Sequence, residues 1–153
     1  MNAQKKRTVD ASDCPFCEIV ESQDGEYDID NKQRTRTVVL GRSSVAFPDI
    51  YPVTSGHTLV VPNRHVTSLF GLPSREQADV WSMVNLVADQ FLVEGVTSMN
   101  IGTNVGAAAG QTIEHAHVHV IPRRDGDVSD PRGGVRWVIP EKARYWAMPN
   151  YPA

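Results

Sequence analysis

Three histidines alternate with small or β-branched residues in the segment His-Ala-His-Val-His-Val-Ile-Pro, which begins at His115. Successive side chains of a strand point to opposite faces. The alternation therefore predicts a strand that places His115, His117 and His119 on one face. The proline at position 122 is expected to end this strand. Imidazoles repeated along one face, about 6.5–7 Å apart, indicate metal binding or phosphate chemistry.

Short apolar runs rich in β-branched residues predict the other strands, because such residues suit a pleated surface. These runs lie at 37–40, 45–47, 57–61, 97–103 and 135–139. The turn composition between the first two runs favours a hairpin. The polar stretch 23–36 is expected to form a long loop.

Helical periodicity is strong in residues 74–94. Ser74, followed three residues later by Gln77, predicts a capping box at the start of this helix. The residues expected to face the core recur at helical spacing and are Ala78, Trp81, Val84, Ala88, Phe91 and Leu92. Short helical segments are expected at 18–21 and within 141–147.

These elements predict an α+β fold, with a mainly antiparallel sheet of five or more strands and one long helix. A chain of 153 residues fits one domain. We expect residues 1–13 to be a disordered tail and residues 14–153 to form the domain, with 128–153 as a C-terminal extension packed on it. Trp146 and Tyr151 are the aromatic residues expected to pack the end of the chain against the domain or against a second subunit.

Composition argues against several classes of partner. The net charge of −3 at pH 7 is unlike that of a protein that binds nucleic-acid polymers, which is usually basic. No apolar run approaches the roughly 18 residues that span a membrane. The start of the chain lacks the apolar segment of a secretory signal. We therefore expect a cytoplasmic protein that binds neither nucleic-acid polymers nor membranes.

Two cysteines, Cys14 and Cys17, lie close together near the start of the chain. A structural disulfide is not expected in a reducing compartment. No strand precedes the pair, which argues against a redox motif. Two interpretations remain: half of a zinc site completed by histidines, or buried cysteines without a function. Taken singly, His57 and His65 are expected to be ordinary strand and loop residues.

Residues 104–112 are rich in Gly and Ala and directly precede the histidine segment. Such residues let the backbone approach a ligand closely, although the Gly-Lys-Ser/Thr signature of a phosphate loop is lacking. Two chemistries remain open for the histidines. They could bind a zinc ion that activates water, or one imidazole could attack phosphorus and carry the group covalently.

Two longer patterns resemble the histidine triad (HIT) family. One is Gly-His-x-Leu-Val-Val-Pro-x-x-His from Gly56 to His65, and the other is Gly-Gln-Thr-x-x-His-x-His-x-His-x-x-Pro-Arg from Gly110 to Arg123. The resemblance covers roughly residues 14–127 and implies an α+β fold, usually a homodimer. It also implies hydrolysis or transfer of nucleotides, such as adenosine phosphoramidates and dinucleoside polyphosphates. Beyond it, Arg136 and Trp137 are expected to pack rather than to contact a substrate.

The resemblance implies a covalent mechanism in which His117 attacks the α-phosphate and water then hydrolyses the nucleotidyl-His117 intermediate. His119 would contact the phosphate and the leaving group, and His57 would support the site. Substrate-binding positions would be Phe47 and Ile50 beside the base, Asp49 on the ribose hydroxyls, and Asn104, Gly110, Gln111 and Thr112 on the phosphate. Alternatives are a zinc hydrolase that uses the triad histidines as ligands, and a nucleotide-binding module without turnover.

Many bacterial members of the family also carry a Cys-x-x-Cys motif and bind structural zinc. The ligands that the resemblance implies are Cys14, Cys17, His65 and His115. A closed Cys₂His₂ site would be structural rather than catalytic. His115 must then turn away from His117 and His119, so we expect a bend near residues 114–115.

Overall fold

The computed structural model describes residues 11–22, 26–28, 35–37 and 39–147. Its strands are β1 (Glu26–Asp28), β2 (Thr35–Thr37), β3 (Val39–Leu40), β4 (Ser44–Pro48), β5 (Thr58–Pro62), β6 (Ser98–Gly102) and β7 (Val118–Arg123). Its helices are α1 (Pro15–Glu21), α2 (Ser74–Val93) and α3 (Pro140–Ala143). An antiparallel five-stranded sheet has the order β3-β4-β5-β7-β6, and β1 pairs with β2 in a separate ribbon. The predicted α+β fold is confirmed.

Both faces of the sheet are covered, which explains why its central strands are apolar at successive positions. The core on the α2 side contains Ala46, Val60, Val118 and Val120, and the core on the α1 side contains Val45, Phe47, Leu59 and Val61. His119 lies directly opposite Leu59 in the pairing of β5 with β7. Cross-strand neighbours share a face, so His119 is on the α1 side of the sheet.

The long helix α2 packs with one face on the sheet. Its buried residues are Val80, Met83, Val84, Val87 and Phe91. The predicted stripe is confirmed for Val84 and Phe91 and is wrong for Trp81 and Leu92, which are 49% and 48% exposed. Ala78 is exposed as well. The helix is rotated relative to the expected stripe, and Trp81 and Leu92 are left on the surface.

The predicted capping box at the start of α2 is wrong. Pro73 occupies the N-cap position, and no side chain caps the helix there. Ser74 is already helical, so the side chain of Gln77 donates instead to the carbonyl oxygen of Leu72, at 2.9 Å.

Two other segments differ from the prediction. The strand expected at 135–139 is a 3₁₀ helix, Gly134–Val138, which Gly133 and Gly134 introduce with φ angles of +91° and +47°. The loop expected at 23–36 contains β1 and part of β2. The helical segments expected near 18–21 and 141–147 are confirmed, although α1 already begins at Pro15, since proline suits the first helical position.

The histidine segment is a strand only in its second half. The strand β7 begins at Val118 and continues through Pro122, which lies opposite Met99 of β6. The predictions that all three histidines share one strand face and that Pro122 ends the strand are therefore wrong. The backbone bends at residues 113–115, which confirms the bend expected there.

An aromatic residue makes a contact within the C-terminal extension. The guanidinium of Arg132 lies 4.4 Å from the ring centroid of Trp146. Tyr151 and most of the tail predicted at 1–13 lie outside the described residues. In the part of the chain that the structure describes, none of the helices combines the length and the apolar character that a membrane span requires.

Candidate active site and metal centre

Sulfur and imidazole donors from three parts of the chain meet beside α1. They belong to Cys14, Cys17, His65 and His115, and their donor atoms all lie within 4.8 Å of one another. The Sγ atom of Cys17 is 3.2 Å from Nδ1 of His65 and 3.6 Å from Nδ1 of His115. In tetrahedral zinc sites, bonds of about 2.3 Å to sulfur and 2.0–2.1 Å to nitrogen separate these ligands by roughly 3.5 Å. The cluster therefore has the donor set and spacing to hold zinc.

The surroundings of His115 leave its Nδ1 atom free to bind a metal ion. Its Nε2–H donates to the carbonyl oxygen of Pro62 at 2.9 Å, which leaves the lone pair on Nδ1 directed at the thiols. Burial lowers the pKa of His115 to about 4, so the imidazole is neutral near pH 7. Burial, together with the neighbouring Cys14, raises the pKa of the Cys17 thiol to about 11. A bound cation would favour the thiolate.

The imidazole of His117 lines a cavity. Its Nδ1–H donates to the carbonyl oxygen of His115 at 2.8 Å, so the lone pair is on Nε2. The ring makes edge contacts with Phe16, at a centroid distance of 5.3 Å, and with His119, at 4.9 Å. A buried, oriented imidazole of this kind has the form that a nucleophile requires.

A chain of hydrogen bonds orients His119. The backbone N–H of Val53 donates to Nδ1 of His57 at 3.4 Å, and Nε2–H of His57 donates to Nδ1 of His119 at 3.0 Å. In the tautomer that this chain of hydrogen bonds defines, His119 carries its own proton on Nε2. Burial and the neighbouring histidines lower the pKa of His119 to about 4. Burial also lowers the pKa of His57, and the Asp49 carboxylate, 3.4 Å from its Nδ1, opposes that shift.

A turn at Gly56 positions His57 for these hydrogen bonds. Gly56 has a φ of +91°, and a Cβ there would lie 2.9 Å from the ring of Phe91. Other residues therefore meet both backbone strain and a clash at this position. The turn closes through the backbone N–H of Asp49, which donates to the carbonyl oxygen of His57 at 2.9 Å.

A cavity of about 460 Å³ lies between α1 and the sheet, with His117 and His119 in its wall. The other residues that line it are Pro15, Phe16, Glu18, Ile19, Phe47, Asp49, Ile50, Tyr51, Leu59, Thr112 and Ile113. Its aromatic and aliphatic walls suit a flat apolar ring. The two imidazoles and Thr112 supply the polar groups that a phosphate needs.

The structure brings six of the residues predicted for catalysis or substrate binding to this cavity: Phe47, Asp49, Ile50, Thr112, His117 and His119. Asn104 and His57 line a second cavity that also contacts His119. The Gln111 side chain instead holds its own loop together. It accepts from the N–H of Gly106 and donates to the carbonyl oxygens of Thr67 and Ile113.

Gly110 occupies a turn of the same loop, with a φ of +86°. Its backbone N–H donates to the carbonyl oxygen of Ala107, so this N–H is used within the loop. The structure thus places Gly110 and Gln111 where they shape the segment leading to the histidines, and Thr112 at the cavity.

Sequence reasoning missed the contribution of α1 to the cavity. Phe16 lies between the two cysteines, and Ile19 follows it three positions later, a spacing that places both on one helical face. Phe16 also contacts Phe47 edge to face, with a centroid distance of 5.6 Å. The family resemblance had already placed the cysteines beside His115. From there, the apolar pair Phe16 and Ile19 was the sequence feature that could have indicated that α1 forms a wall of the cavity.

An antiparallel sheet with one long helix, and histidines grouped where the inner strand β7 begins, defines the class of this protein. The chain belongs to the histidine triad family, because the HIT domain matches residues 31–126.

Similar proteins include named nucleotide hydrolases. The chain is 42% identical over 90 residues to the asymmetrical bis(5′-nucleosyl)-tetraphosphatase of Schizosaccharomyces pombe, and the match covers 57% of this chain and 48% of that protein. It is 30% identical over 118 residues to adenosine 5′-monophosphoramidase of Saccharomyces cerevisiae, covering 77% and 66%. It therefore spans about half the length of the tetraphosphatase.

A solved structure shares the fold. It is a Zn-bound histidine triad family protein from Mycobacterium smegmatis, with a TM-score of 0.63 and 32% identity, and the match covers 77% of this chain and 80% of that one.

Proposed function

We propose that the protein hydrolyses or transfers nucleotides by attack of His117 on an α-phosphate. The substrates would be of the purine nucleoside phosphoramidate or dinucleoside polyphosphate class. The observation that carries the proposal is the pair of oriented imidazoles at one cavity. The lone pair on Nε2 of His117 and the proton on Nε2 of His119 belong to rings 4.9 Å apart. The named activities of the two hydrolases support the substrate classes.

In the proposed complex, the nucleoside occupies the cavity beside α1. Phe16, Phe47 and Ile50 would flank the base, and the carboxylate of Asp49 would accept from the ribose hydroxyls. One oxygen of Asp49 already accepts from the N–H of Tyr51 at 2.8 Å, which holds the carboxylate in place. Asn104 and Thr112 would bind the phosphate, with Gly110 and Gln111 supporting their loop.

The reaction would proceed in two displacements. Nε2 of His117 forms a bond to phosphorus while the bond to the leaving group breaks. Nε2–H of His119 donates a hydrogen bond to the departing atom, which takes its proton from solvent water. Water then attacks phosphorus, the bond to His117 breaks, and the nucleoside monophosphate is released. His57 would support His119 through the hydrogen bond to Nδ1.

The four-donor cluster would bind structural zinc through Cys14, Cys17, His65 and His115. All four positions of the ion would be filled, so its contribution would be to join α1 to the start of the histidine segment rather than to activate water. The zinc named for the solved relative supports this assignment.

A second candidate is a metal-dependent hydrolase at the neighbouring site. The donor atoms of Asp49, His57 and His119 also lie within 4.8 Å of one another. A metal there would activate water directly and need no covalent intermediate. Protein stripped of loosely held metal by EDTA distinguishes the two: retained turnover supports the His117 mechanism, and loss that added zinc reverses supports the metal hydrolase.

We also propose that the protein is a homodimer, since Trp81 and Leu92 leave apolar surface on α2, and β6 is an edge strand of the described sheet. Cytoplasmic location remains a prediction from the sequence.

A substrate panel tests the proposed function. Adenosine 5′-phosphoramidate, dinucleoside tri- and tetraphosphates and nucleotide sugars would each be incubated with and without inorganic phosphate. Turnover of a phosphoramidate or dinucleoside polyphosphate, abolished by His117→Ala, is the expected result. Phosphate incorporated into the product would identify a transferase. Turnover unchanged in His117→Ala protein contradicts the proposal.

A further inference from the structure

One charged side chain in the wall of the nucleotide cavity, the cavity between α1 and the sheet, has no part in the proposed reaction. Glu18 lines this cavity together with Phe16 and Ile19 of the same helix. Phe16 and Ile19 are buried, whereas Glu18 is exposed. Its carboxylate therefore lies at the mouth of the cavity, beside the apolar wall that would hold the base.

The backbone that carries Glu18 is fixed relative to the site. Glu18 follows Cys17 of the four-donor cluster, and its backbone N–H donates to the carbonyl oxygen of Cys14 at 3.3 Å. Two residues earlier on α1, the ring of Phe16 contacts the ring of His117 at a centroid distance of 5.3 Å. A polar group on a helix held in this way is well placed to read one edge of a bound ring.

The other polar side chains of the cavity do not select a base. One oxygen of Asp49 accepts from the N–H of Tyr51, and the other lies 3.4 Å from Nδ1 of His57. Thr112 and the two triad imidazoles belong to the phosphate end in the proposed complex. The hydroxyl of Tyr51 both donates and accepts, so it fits any base. None of the described residues that line the cavity is Lys or Arg.

A carboxylate only accepts hydrogen bonds, so it distinguishes bases by the donors on their edges. Guanine presents two adjacent donors, N1–H and the N2 amine, and the two oxygens of one carboxylate can accept from both, as they do from a guanidinium. Adenine presents one donor, the N6 amine, beside the acceptor N1, whose lone pair a carboxylate repels. Hypoxanthine has N1–H and lacks the second donor.

We propose that Glu18 is a specificity-determining residue that makes the cavity prefer guanine nucleotides to adenine nucleotides. The inference rests on the proposed function and deepens it by naming the base of the substrate. In this arrangement the guanine ring packs against Phe16 and Ile50, and its donor edge faces the Glu18 carboxylate. The ribose and the α-phosphate then reach Asp49 and His117.

Binding of three nucleoside monophosphates to the full-length protein tests this preference without turnover. Guanosine, inosine and adenosine 5′-monophosphate share the same ribose and phosphate, so calorimetry compares their bases alone. We expect the guanosine compound to bind about tenfold more tightly than the adenosine compound, with the inosine compound between them, because they offer the carboxylate two, one and no well-matched donors. Binding of the adenosine compound that is as tight as that of the guanosine compound overturns the inference.

Glu18→Gln should reverse the order of guanosine and adenosine compounds, because an amide both accepts and donates and so matches N6 and N1 of adenine. The ratio of the two affinities is the readout, since loss of a negative charge strengthens binding of every anionic nucleotide. Glu21→Gln removes the same charge from the same helix at a residue that does not line the cavity, and should keep the guanine preference.

An unchanged ratio in Glu18→Gln protein, or the same change of ratio in both variants, also overturns the role of Glu18. Those outcomes leave the proposed function standing, because nucleotides still bind. Failure of all three nucleotides to bind the wild type contradicts the nucleotide cavity itself, and with it the proposed function as well as the preference for guanine.

Discussion

Nδ1 of His117 lies 2.8 Å from the carbonyl oxygen of His115, so one residue of the four-donor cluster (Cys14, Cys17, His65 and His115) holds the imidazole of the next histidine in the site. The side chain of His115 points to the two thiols, while its backbone carbonyl sets the tautomer of His117. Phe16 joins the same two parts of the molecule, because it lies between the cysteines in sequence and contacts the ring of His117. Order in the cluster and order in the cavity are therefore linked.

Removing one thiolate should release the metal. We expect Cys14→Ser protein to lose about one equivalent of zinc, and to unfold at a lower temperature, because metal binding contributes to folding free energy. Metal analysis and thermal unfolding measure the two effects. His57→Gln is the matched control, since this histidine lies outside the cluster and its replacement should leave the zinc content unchanged. Full zinc content in Cys14→Ser protein contradicts the assignment.

Replacing Phe16 should weaken nucleotide binding while the metal stays. Phe16→Ala removes an aromatic wall of the cavity, and an aromatic contact of about 0.5–1.5 kcal/mol corresponds to a rise in KM of up to about tenfold. Steady-state kinetics and metal analysis test this. Phe70→Ala serves as the control, because Phe70 is 82% exposed and lies outside the cavity. An equal KM for the Phe16→Ala and Phe70→Ala variants would contradict the assignment of α1 to the nucleotide-binding site.

Acid should destabilise the protein partly through His119. Its pKa is about 4 in the folded protein and about 6.5 when unfolded, so the unfolded chain binds more protons between these values. Stability contributed by neutral His119 is present above about pH 6.5 and is lost as the pH falls towards 4. Thermal unfolding from pH 7 to 4 should show a smaller decline for His119→Gln than for the wild type, at roughly 2–4 °C per kcal/mol. Equal declines in unfolding temperature for the wild type and His119→Gln would show that protonation of His119 does not contribute to the loss of stability in acid.

The exposed face of α2 tests the proposed dimer. Trp81→Glu should shift the protein to monomer in sedimentation, because it places a charge in the apolar contact. Leu86→Glu makes the same change on the same helix at a residue of similar exposure, 45% against 49%, but on another side of the helix. It should remain dimeric. A monomeric wild type, or equal effects of the two variants, excludes this interface.

Local sequence patterns were enough to predict the sheet and its long helix. Continuous apolar runs predicted β4 and β5, whose alternate residues pack against helices on both faces of the sheet. The rotation of α2 was not predictable, because Trp81 and Val80 are both apolar and only packing decides which of them is buried. The 3₁₀ helix at Gly134–Val138 was missed because the turn at Gly133 and Gly134 overrides the β propensity of the valines.

The candidate site was predictable where residues are close in sequence, as for His117 and His119. Alternation alone placed His115 with them, whereas the backbone bend directs its side chain to the cysteines 98 and 101 positions earlier. Such a long-range pairing produces no local periodicity in the sequence. The prediction of this pairing therefore came only from the resemblance to a family.

Isolation of the covalent intermediate tests the central claim most directly. Full-length protein mixed with adenosine 5′-phosphoramidate and quenched without acid should contain an adenylyl group on the peptide that carries His117, as detected by mass spectrometry. The group should disappear as the nucleoside monophosphate forms, and His117→Ala protein should not acquire it. Turnover with no modified histidine at any time, or modification that persists in the His117→Ala protein, would contradict attack by His117.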